Sequence, residues 1–401
     1  MIRSILSQWA ATLYVGLVSM SLSIFIARKL GPVAFGEYSV ALAVGAVLVI
    51  FIDGGMRNIL LRERVRASLN LQYLADKLFS IALGHAFIVA LICSLLSIIF
   101  LTERMSLVLA TVWCFFGTVL AQYISAIFRG EGRLVLDAVW LMGQRSFSAV
   151  CIVTAIFFGF YSPWHIFAAW AIGTITIDVV YMIYVKYKPS FVFKYDLYKV
   201  VLPLLWIDLA TVVYFRSDMI MMQWLGLSEE KIGQYAAAYR LIEAVILLTN
   251  PVAILIFRYF RKNIEVSLIL GQQILRAIVL AVLLGIAGAV IITVFANTLI
   301  EVTYGSKYYE SVRILVILAW AMIFVLPNAV LTQVALALNL EHAYALAASL
   351  AAVCNVVLNF IFIPQYGLIS AAYATIMTEA VLLIVLVIAL IKKFKNNPVF
   401  D

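Results

Sequence analysis

Runs of about twenty apolar residues recur along the whole chain, and this feature limits the folds that it can adopt. Of its 401 residues, 66% are hydrophobic and 12% are charged, whereas a soluble domain is about half apolar and about a quarter charged. A soluble core of this size could not hide so much apolar surface. A run of about 20 apolar residues is long enough to cross a bilayer as a helix. The pattern predicts an all-α integral membrane protein.

Hydropathy predicts about twelve transmembrane helices and indicates their orientation. Of the basic residues in the loops and at the ends of the predicted spans, eighteen fall on one side and six on the other. Because Lys and Arg collect in cytoplasmic loops, both termini are expected in the cytoplasm, and the net charge of +8 does not indicate nucleic-acid binding. The predicted spans are 9–29, 38–58, 78–101, 105–128, 134–160, 163–186, 200–225, 232–257, 272–300, 311–338, 343–363 and 366–391.

Three motifs recur in the same order, 195 to 211 residues apart. "LGPVAFGEYSVA" (30–41) is answered by "LGLSEEKIGQYAAA" (225–238), "LAQ" (120–122) by "LTQ" (331–333), and "IFAAWA" (166–171) by "ISAAYA" (369–374). Six spans per repeat is an even number, so both copies enter the membrane in the same direction, as in parallel-repeat transporters. The predicted division is a six-helix bundle at 1–186, a basic cytoplasmic linker at 187–199 and a second bundle at 200–401.

Several charged residues lie within or at the ends of the predicted spans, where a charge costs about 2.5–3.5 kcal/mol by insertion scales. Arg240 and Glu243 share one face of the eighth span, where they bind a ligand or form an ion pair that fixes packing. Asp208 and Arg216 lie within about 80° of each other on the seventh span, and Asp218 points about 160° away from Arg216. Asp218 is expected to meet a neighbouring helix or lie near the outer surface.

Two further acids, Asp53 and Asp178, are interpreted as solvated caps near the cytoplasmic surface. Pro251 is expected to kink or open the eighth span, because proline removes a backbone hydrogen bond. Asn355 and Asn359 are spaced to hydrogen-bond a neighbouring helix. The cysteines and histidines are scattered, so neither a disulfide framework nor a metal site is predicted.

Five segments resemble the polysaccharide-export family, the Wzx-type flippases of the multidrug/oligosaccharidyl-lipid/polysaccharide (MOP) superfamily. The similarity runs through nearly the whole chain. The segments are "ARKLGPVAFGEYS" (27–39), "DGGMRNILLRE" (53–63), "FRSDMIMMQWLG…IGQYAAAYRLIE" (215–243), "YGSKYYESVRILVILAW" (304–320) and "NVVLNFIFIPQYGLISAAYAT" (355–375). The resemblance implies twelve helices in two bundles around a V-shaped cavity. It also implies transfer of an undecaprenyl-pyrophosphate-linked oligosaccharide from the inner to the outer leaflet of a bacterial cytoplasmic membrane.

Transfer of such a lipid needs a polar passage. A sugar hydroxyl without partners in hydrocarbon costs roughly 4–8 kcal/mol, so a headgroup with many hydroxyls does not cross unaided. Arginine binds pyrophosphate through paired, charge-assisted hydrogen bonds, which makes Arg145, Arg216 and Arg240 candidate substrate ligands. Acids in the passage could couple transport to an ion, and the candidates are Glu243 and Asp208, followed by Asp218 and Glu379. A polysaccharide polymerase and a chain-length regulator are the expected protein partners.

Other functions remain open at this stage. A multidrug or metabolite exporter, or a flippase for a peptidoglycan lipid precursor, would share the fold. A membrane glycan polymerase or ligase would need catalytic groups at an aqueous face, usually on a sizeable loop, and no nucleophile with a base is apparent in the short outer loops. No Gly-rich phosphate-binding motif appears either. The sequence therefore predicts a transporter rather than an enzyme, with no cofactor.

Overall fold

The computed structural model describes residues 2–66, 72–187, 195–247, 250–262 and 267–395, and within these ranges it contains helices and no strand. The described ranges contain thirteen α-helices and two single 3₁₀ turns, at Thr102–Arg104 and Ser306–Tyr308. The α-helices are α1 (Ile2–Asp53), α2 (Met56–Arg66), α3 (Gln72–Phe100), α4 (Met105–Gly130), α5 (Leu134–Phe157), α6 (Pro163–Tyr184), α7 (Tyr195–Trp224), α8 (Glu229–Leu247), α9 (Asn250–Lys262), α10 (Ser267–Thr303), α11 (Ser311–Ala337), α12 (Glu341–Tyr366) and α13 (Leu368–Lys395).

Helix α1 contains two of the predicted spans. Its 52 residues would extend about 78 Å at 1.5 Å per residue, more than twice the roughly 30 Å of a hydrocarbon core. Gly31 breaks the helix with φ 76° and ψ 173°. Pro32 follows, and its fixed φ suits the first turn of the next segment. Residues 30–37 lie between two predicted spans and were expected to form a loop. That prediction is wrong, because the chain turns at Gly31 and continues as helix.

The number of membrane crossings agrees with the sequence. Nine helices among the described residues are long and apolar enough to cross a membrane, and one of them is the double-length α1. Helix α1 counts as two segments, which gives ten. Helices α7 and α8 are not among the nine, because they carry more charge or border residues outside the described ranges. With these two helices the total is twelve. The chain is a multi-pass, all-α membrane protein.

One predicted span ends early. The second span was expected to reach 58, but α1 ends at Asp53, and Gly54 and Gly55 have φ of 55° and 73° before α2 begins. A Cβ at Gly54 would also lie 2.4 Å from the Nε2 atom of His85, so the positive φ and this contact both favour glycine at the break. The span predicted at 232–257 is described as α8, to Leu247, and α9, from Asn250. The residues between them lie outside the described ranges, so the kink expected at Pro251 stays a prediction.

The chain divides into two compact units. Unit 1 comprises Met1–Leu30 and Glu37–Val212, and unit 2 comprises Gly31–Gly36 and Val213–Asp401. The division into bundles at 1–186 and 200–401 stays a prediction, and most of the linker predicted at 187–199 lies outside the described residues.

Each unit is built around one central helix. In unit 1, α4 packs against α2, α3, α5 and α6, and in unit 2, α11 packs against α8, α9, α10 and α13. These two helices are more buried than the other spans. They also carry the "LAQ" and "LTQ" segments that the repeat analysis matched. The matched helices therefore occupy corresponding places in their own units.

The matched glycine motifs touch each other inside unit 2. A Cβ at Gly36 would lie 1.8 Å from the carbonyl oxygen of Glu229, and a Cβ at Gly233 would lie 1.9 Å from the carbonyl oxygen of Pro32. Glu229 lies four residues before Gly233, and Pro32 lies four residues before Gly36. Each glycine therefore packs on the backbone of the segment that carries the other, so the contact is reciprocal. Such a close approach of two helix backbones requires glycine, as at small-residue interfaces in membranes.

Alanine at Gly36 or Gly233 is expected to lower the thermal stability of the purified protein, because the added Cβ overlaps a backbone carbonyl that cannot move aside. Gly143 in α5 is the matched control, since a Cβ there would meet nothing within 4 Å and alanine favours helix by about 1 kcal/mol. Melting curves in detergent should place both G36A and G233A below wild type and G143A at or above it. Equal melting of G36A and G143A would contradict the close contact.

Candidate functional site

Two of the predicted substrate arginines meet one carboxylate in unit 2. Arg216 on α7 and Arg240 on α8 each hold a different oxygen of Glu243, at 2.8 Å and 2.5 Å. All three side chains are largely buried, with between 16% and 23% of their surface exposed. The mutual ion pair considered for Arg240 and Glu243 is present, and Arg216 extends it between two helices. Two guanidinium groups therefore share one carboxylate.

The third predicted arginine lies in the other unit. Arg145 on α5 stands over the ring of Trp170 on α6, with its guanidinium carbon 4.9 Å from the ring centroid. This is cation–π geometry, which is worth about 2 kcal/mol or more when the pair is shielded from water. Phe115 and Phe167 lie next to the same indole. Two of the three arginines therefore lie in unit 2, and Arg145 is held by aromatic rings in unit 1.

Two of the predicted coupling acids line one small cavity in unit 2. The cavity has a volume of about 40 Å³ and is walled in part by Asp218 and Glu379. The Tyr235 hydroxyl donates to Asp218 at 2.6 Å, and the backbone N–H of Met219 donates to the same carboxylate at 2.8 Å. Asn328 donates to Glu379 at 2.7 Å. Asp218 thus meets a neighbouring helix, which is the first of the two placements expected for it.

The paired asparagines extend this polar group. Ser217 on α7 donates to Asn355 on α12 at 2.9 Å, and Asn359 donates to the same Asn355 oxygen at 2.9 Å. The interhelical hydrogen bond expected from their spacing is therefore present. Asn355 also lines the small cavity, so these side chains fix the positions of α7 and α12 beside Asp218.

The remaining coupling candidate, Asp208, lies in unit 1. Its carboxylate is 3.9 Å from the guanidinium of Arg57, and both side chains are more than a third exposed. An ion pair of that length and exposure contributes little stability. Asp208 and Arg216 were placed on one face of the seventh span, but they do not pair with each other. Asp208 pairs with Arg57, and Arg216 pairs with Glu243.

Sequence reasoning missed a polar cluster at one end of unit 1. Asp137 on α5 is fully buried and accepts hydrogen bonds from Gln8 at 2.8 Å, from Arg129 at 2.7 Å and from Ser125. Gln122 on α4 accepts a bond from Arg57 at 3.0 Å. A signal was present in the sequence, since Gln122, Ser125 and Arg129 fall on one face of the fourth span. Taken one by one, Arg57 and Arg129 indicate only the orientation of the spans.

The two acids interpreted as solvated caps are buried. Asp53 does cap a helix, because it accepts a bond from the backbone N–H of Arg57 at 3.0 Å, but it is only 4% exposed. Asp178 on α6 is 0% exposed, and neither of its oxygens has a hydrogen-bond partner among the described residues. Solvation is therefore wrong for both, since neighbouring helices cover these positions.

Comparison with known proteins now identifies the family. The family model described as "Polysaccharide biosynthesis protein" matches residues 1–263. The chain belongs to this polysaccharide biosynthesis family. A curated relative from Haloferax volcanii, named "Probable low-salt glycan biosynthesis flippase Agl15", is 24% identical over 386 residues, which cover 89% of this chain and 76% of the relative.

Solved structures place this family member in the MOP-superfamily fold. The "Lipid II flippase MurJ, inward closed conformation" matches with a TM-score of 0.78 at 16% identity, covering 96% of this chain and 87% of that one. An inward-facing "multidrug resistance MATE family transporter of the MOP superfamily" matches with a TM-score of 0.66 at 13% identity, covering 96% and 94%. At these identities the likeness shows the fold. These relatives are named as flippases and as a transporter, in keeping with the expectation that the chain is not an enzyme.

The two fully buried acids of unit 1 should respond differently to removal of charge. Asp137→Asn replaces a carboxylate that accepts three bonds, so we expect a loss of about 1.5–3 kcal/mol, the range for hydrogen bonds to charged groups. Asp178→Asn removes a charge without a protein partner, and we expect equal or higher stability, because burying an unpaired charge is costly. Thermal unfolding of the two amide variants in the same detergent measures the difference. A less stable D178N than D137N would contradict these environments.

Proposed function

We propose that this protein is a flippase for an oligosaccharide linked to undecaprenyl pyrophosphate, moving its headgroup from the cytoplasmic to the outer leaflet by alternating access. The family match supports a role in polysaccharide biosynthesis. The relative named as a glycan biosynthesis flippase and the fold shared with a lipid II flippase support lipid transfer. The proposed location is a bacterial cytoplasmic membrane with both termini inside, and the proposed partners are a polymerase and a chain-length regulator of an O-antigen or similar surface glycan.

The observation that carries the proposal is the pair of arginines that meet at one carboxylate in unit 2. Arg216 and Arg240 both bind Glu243, which brings two guanidinium groups together among spanning helices. Charged side chains at such positions are costly and mark functional sites. A pyrophosphate headgroup accepts planar, paired hydrogen bonds from guanidinium. Arg145 over Trp170 is the proposed further ligand, suited to a sugar or phosphate that passes an aromatic surface.

The exporter alternative finds less support. An exporter of organic cations needs an acid-lined pocket of roughly 300–1,000 Å³, the range for small-molecule sites. The acids of unit 2 line a cavity of about 40 Å³, which is too small for such a molecule. It exceeds the roughly 10–15 Å³ that one water requires. We therefore propose that Asp218 and Glu379 bind the coupling ion, a proton or small cation, and that Glu243 and Asp208 serve mainly to hold arginines.

Loss of either arginine of the cluster should impair transport more than folding. Arg216→Gln and Arg240→Gln each leave one arginine paired with Glu243, so the variants should accumulate in the membrane while surface glycan falls at least tenfold. The measurement is surface glycan in cells that lack their own flippase, normalised to protein in the membrane. Arg313→Gln, an exposed arginine at the start of α11, is the control. Glycan output equal to wild type in both cluster variants would reject the substrate role.

The coupling role predicts a second phenotype. Asp218→Asn and Glu379→Gln should remove the dependence of flipping on an imposed ion gradient in proteoliposomes, while substrate binding remains within about threefold of wild type. Glu341→Gln changes an exposed acid at the start of α12 and should keep full gradient dependence. Retained gradient dependence in both D218N and E379Q would reject these two residues as the coupling site.

A further inference from the structure

Asp178 is a buried acid that the proposed transport site of unit 2 does not use. It lies on α6, six residues before the helix ends at Tyr184, and it is 0% exposed. Neither oxygen of its carboxyl group has a hydrogen-bond partner in the described ranges. An ionisable side chain inside a membrane-spanning helix is costly and marks a functional site. Asp178 therefore calls for a role of its own.

Helices α5 and α6 touch on both sides of Asp178. At one contact, a Cβ at Gly173 would lie 2.7 Å from the Cα atom of Ser148. At the other, the ring centroids of Tyr181 and Trp140 are 5.2 Å apart. Residue numbers rise along α6 while they fall along α5, so the two helices run antiparallel. The stretch between the two contacts is a closely packed part of their interface.

A second unpartnered polar atom lies in the same part of the interface. Gln144 is midway between the two contact residues of α5, and Asp178 lies between those of α6. The Nε2 atom of Gln144 is buried and has no hydrogen-bond partner among the residues that the structure describes. An amide donor and a carboxyl acceptor therefore stand at one level of two adjacent helices.

The other ionisable side chains around this level have partners elsewhere or are neutral. Arg129 of α4 donates to Asp137 of α5 at 2.7 Å. Arg145 stands over Trp170. The Tyr123 hydroxyl donates to the carbonyl of Asp53 at 3.0 Å. No cation therefore compensates a charge on Asp178 in this part of the described chain. The ionisable side chains compared are Tyr123, Arg129, Asp137, Arg145, Cys151 and Tyr181.

The burial of Asp178 determines which form of the acid the interface accepts. An isolated carboxylate in an apolar interior is far more costly than a neutral acid, because its hydration is lost without compensation. A protonated carboxyl group has one donor and keeps an acceptor. The Gln144 amide can donate to that acceptor, directly or through one bound water. The packed interface thus favours the protonated acid.

A polar cavity close by gives a proton a route to water. The cavity has a volume of about 460 Å³, lies between α2, α4 and α5, and is lined in part by Ser125 and Leu141. One water requires only about 10–15 Å³, so the cavity has room for several. Leu141 is one turn before Gln144 on α5. Water in the cavity is therefore about one helical turn from the level of Asp178.

We propose that Asp178 is a proton-binding site of unit 1. The carboxyl group holds its proton while α5 and α6 are packed together. When the two helices separate, the O–H bond breaks, the proton passes to water and the carboxylate is hydrated. Gln144 is a positioning residue that bonds the carboxyl group. The site does not depend on the substrate proposed above or on the coupling acids of unit 2.

Infrared spectroscopy of the purified full-length protein tests the protonation state. The C=O stretching band of a protonated carboxyl group should be present at about pH 7, where an ordinary aspartate is ionised, and should be missing in Asp178→Asn. Asp137→Asn is the matched control, since that buried acid is bound by Arg129 and its loss should leave the band unchanged. Gln144→Leu should shift the band, because the carbonyl loses a donor. A pH titration of the band in the wild type covers a failure of D178N to fold.

Hydrogen–deuterium exchange tests the link between the proton and the packing. A group that binds a proton in the packed interface and loses it on opening makes opening up to about tenfold more favourable per pH unit. Amide exchange in 140–148 and 173–181, corrected for the intrinsic effect of pH, should therefore rise at least tenfold in the wild type between about pH 6 and about pH 9. D178N has no proton to lose and should show no such rise.

Each outcome decides one part of the proposal. Absence of the band from the wild type at about pH 7, or an equal band in D178N, would overturn the proton site. The same pH dependence of exchange in the wild type and D178N would overturn the link to packing. An unshifted band in Q144L would remove the role of Gln144. None of these measurements involves flipping, so the proposed function is tested separately by R216Q and R240Q.

Discussion

The structure depends on how charged side chains are satisfied among helices that cross hydrocarbon. A buried guanidinium or carboxylate without a partner is far more costly there than in water. In unit 2, one carboxylate of α8 holds arginines from α7 and α8. In unit 1, Asp137 of α5 accepts hydrogen bonds from donors on α1 and α4. These charged groups join helices that apolar packing alone would leave free to slide, because lipid is as apolar as the helices themselves.

The buried acids that accept hydrogen bonds are of two kinds, which differ in the donors that bind them. Glu243 and Asp137 are occupied by arginine and have a structural part to play, while Asp218 and Glu379 receive neutral donors and line an internal cavity. Asp218 also interacts with the charge of Arg216, so the arginine cluster and the acid-lined cavity are electrostatically linked. Under the proposed coupling role, a proton or a small cation bound at these acids would act on the arginines through that link.

Much of the architecture could be predicted from sequence, because span length and hydropathy follow directly from the thickness of a bilayer. The number of spans and the correspondence of α4 with α11 were both predictable on this basis. The helix breaks were harder to place, since Gly31 allows α1 to turn within one residue and Gly54 is imposed by the neighbouring His85. The site was harder again. A helical wheel places Asp208 and Arg216 on one face, but their actual partners, Arg57 and Glu243, come from other parts of the chain.

The reciprocal contact of Gly36 and Gly233 limits which residues the two matched motifs can carry. Each glycine packs on the residue four positions before the other glycine. A bulkier residue at one of these positions would therefore be harmful whatever the other position contained, and no single replacement at the other could relieve it. Both positions must stay glycine at the same time, whereas several of the residues around them in the two motifs differ.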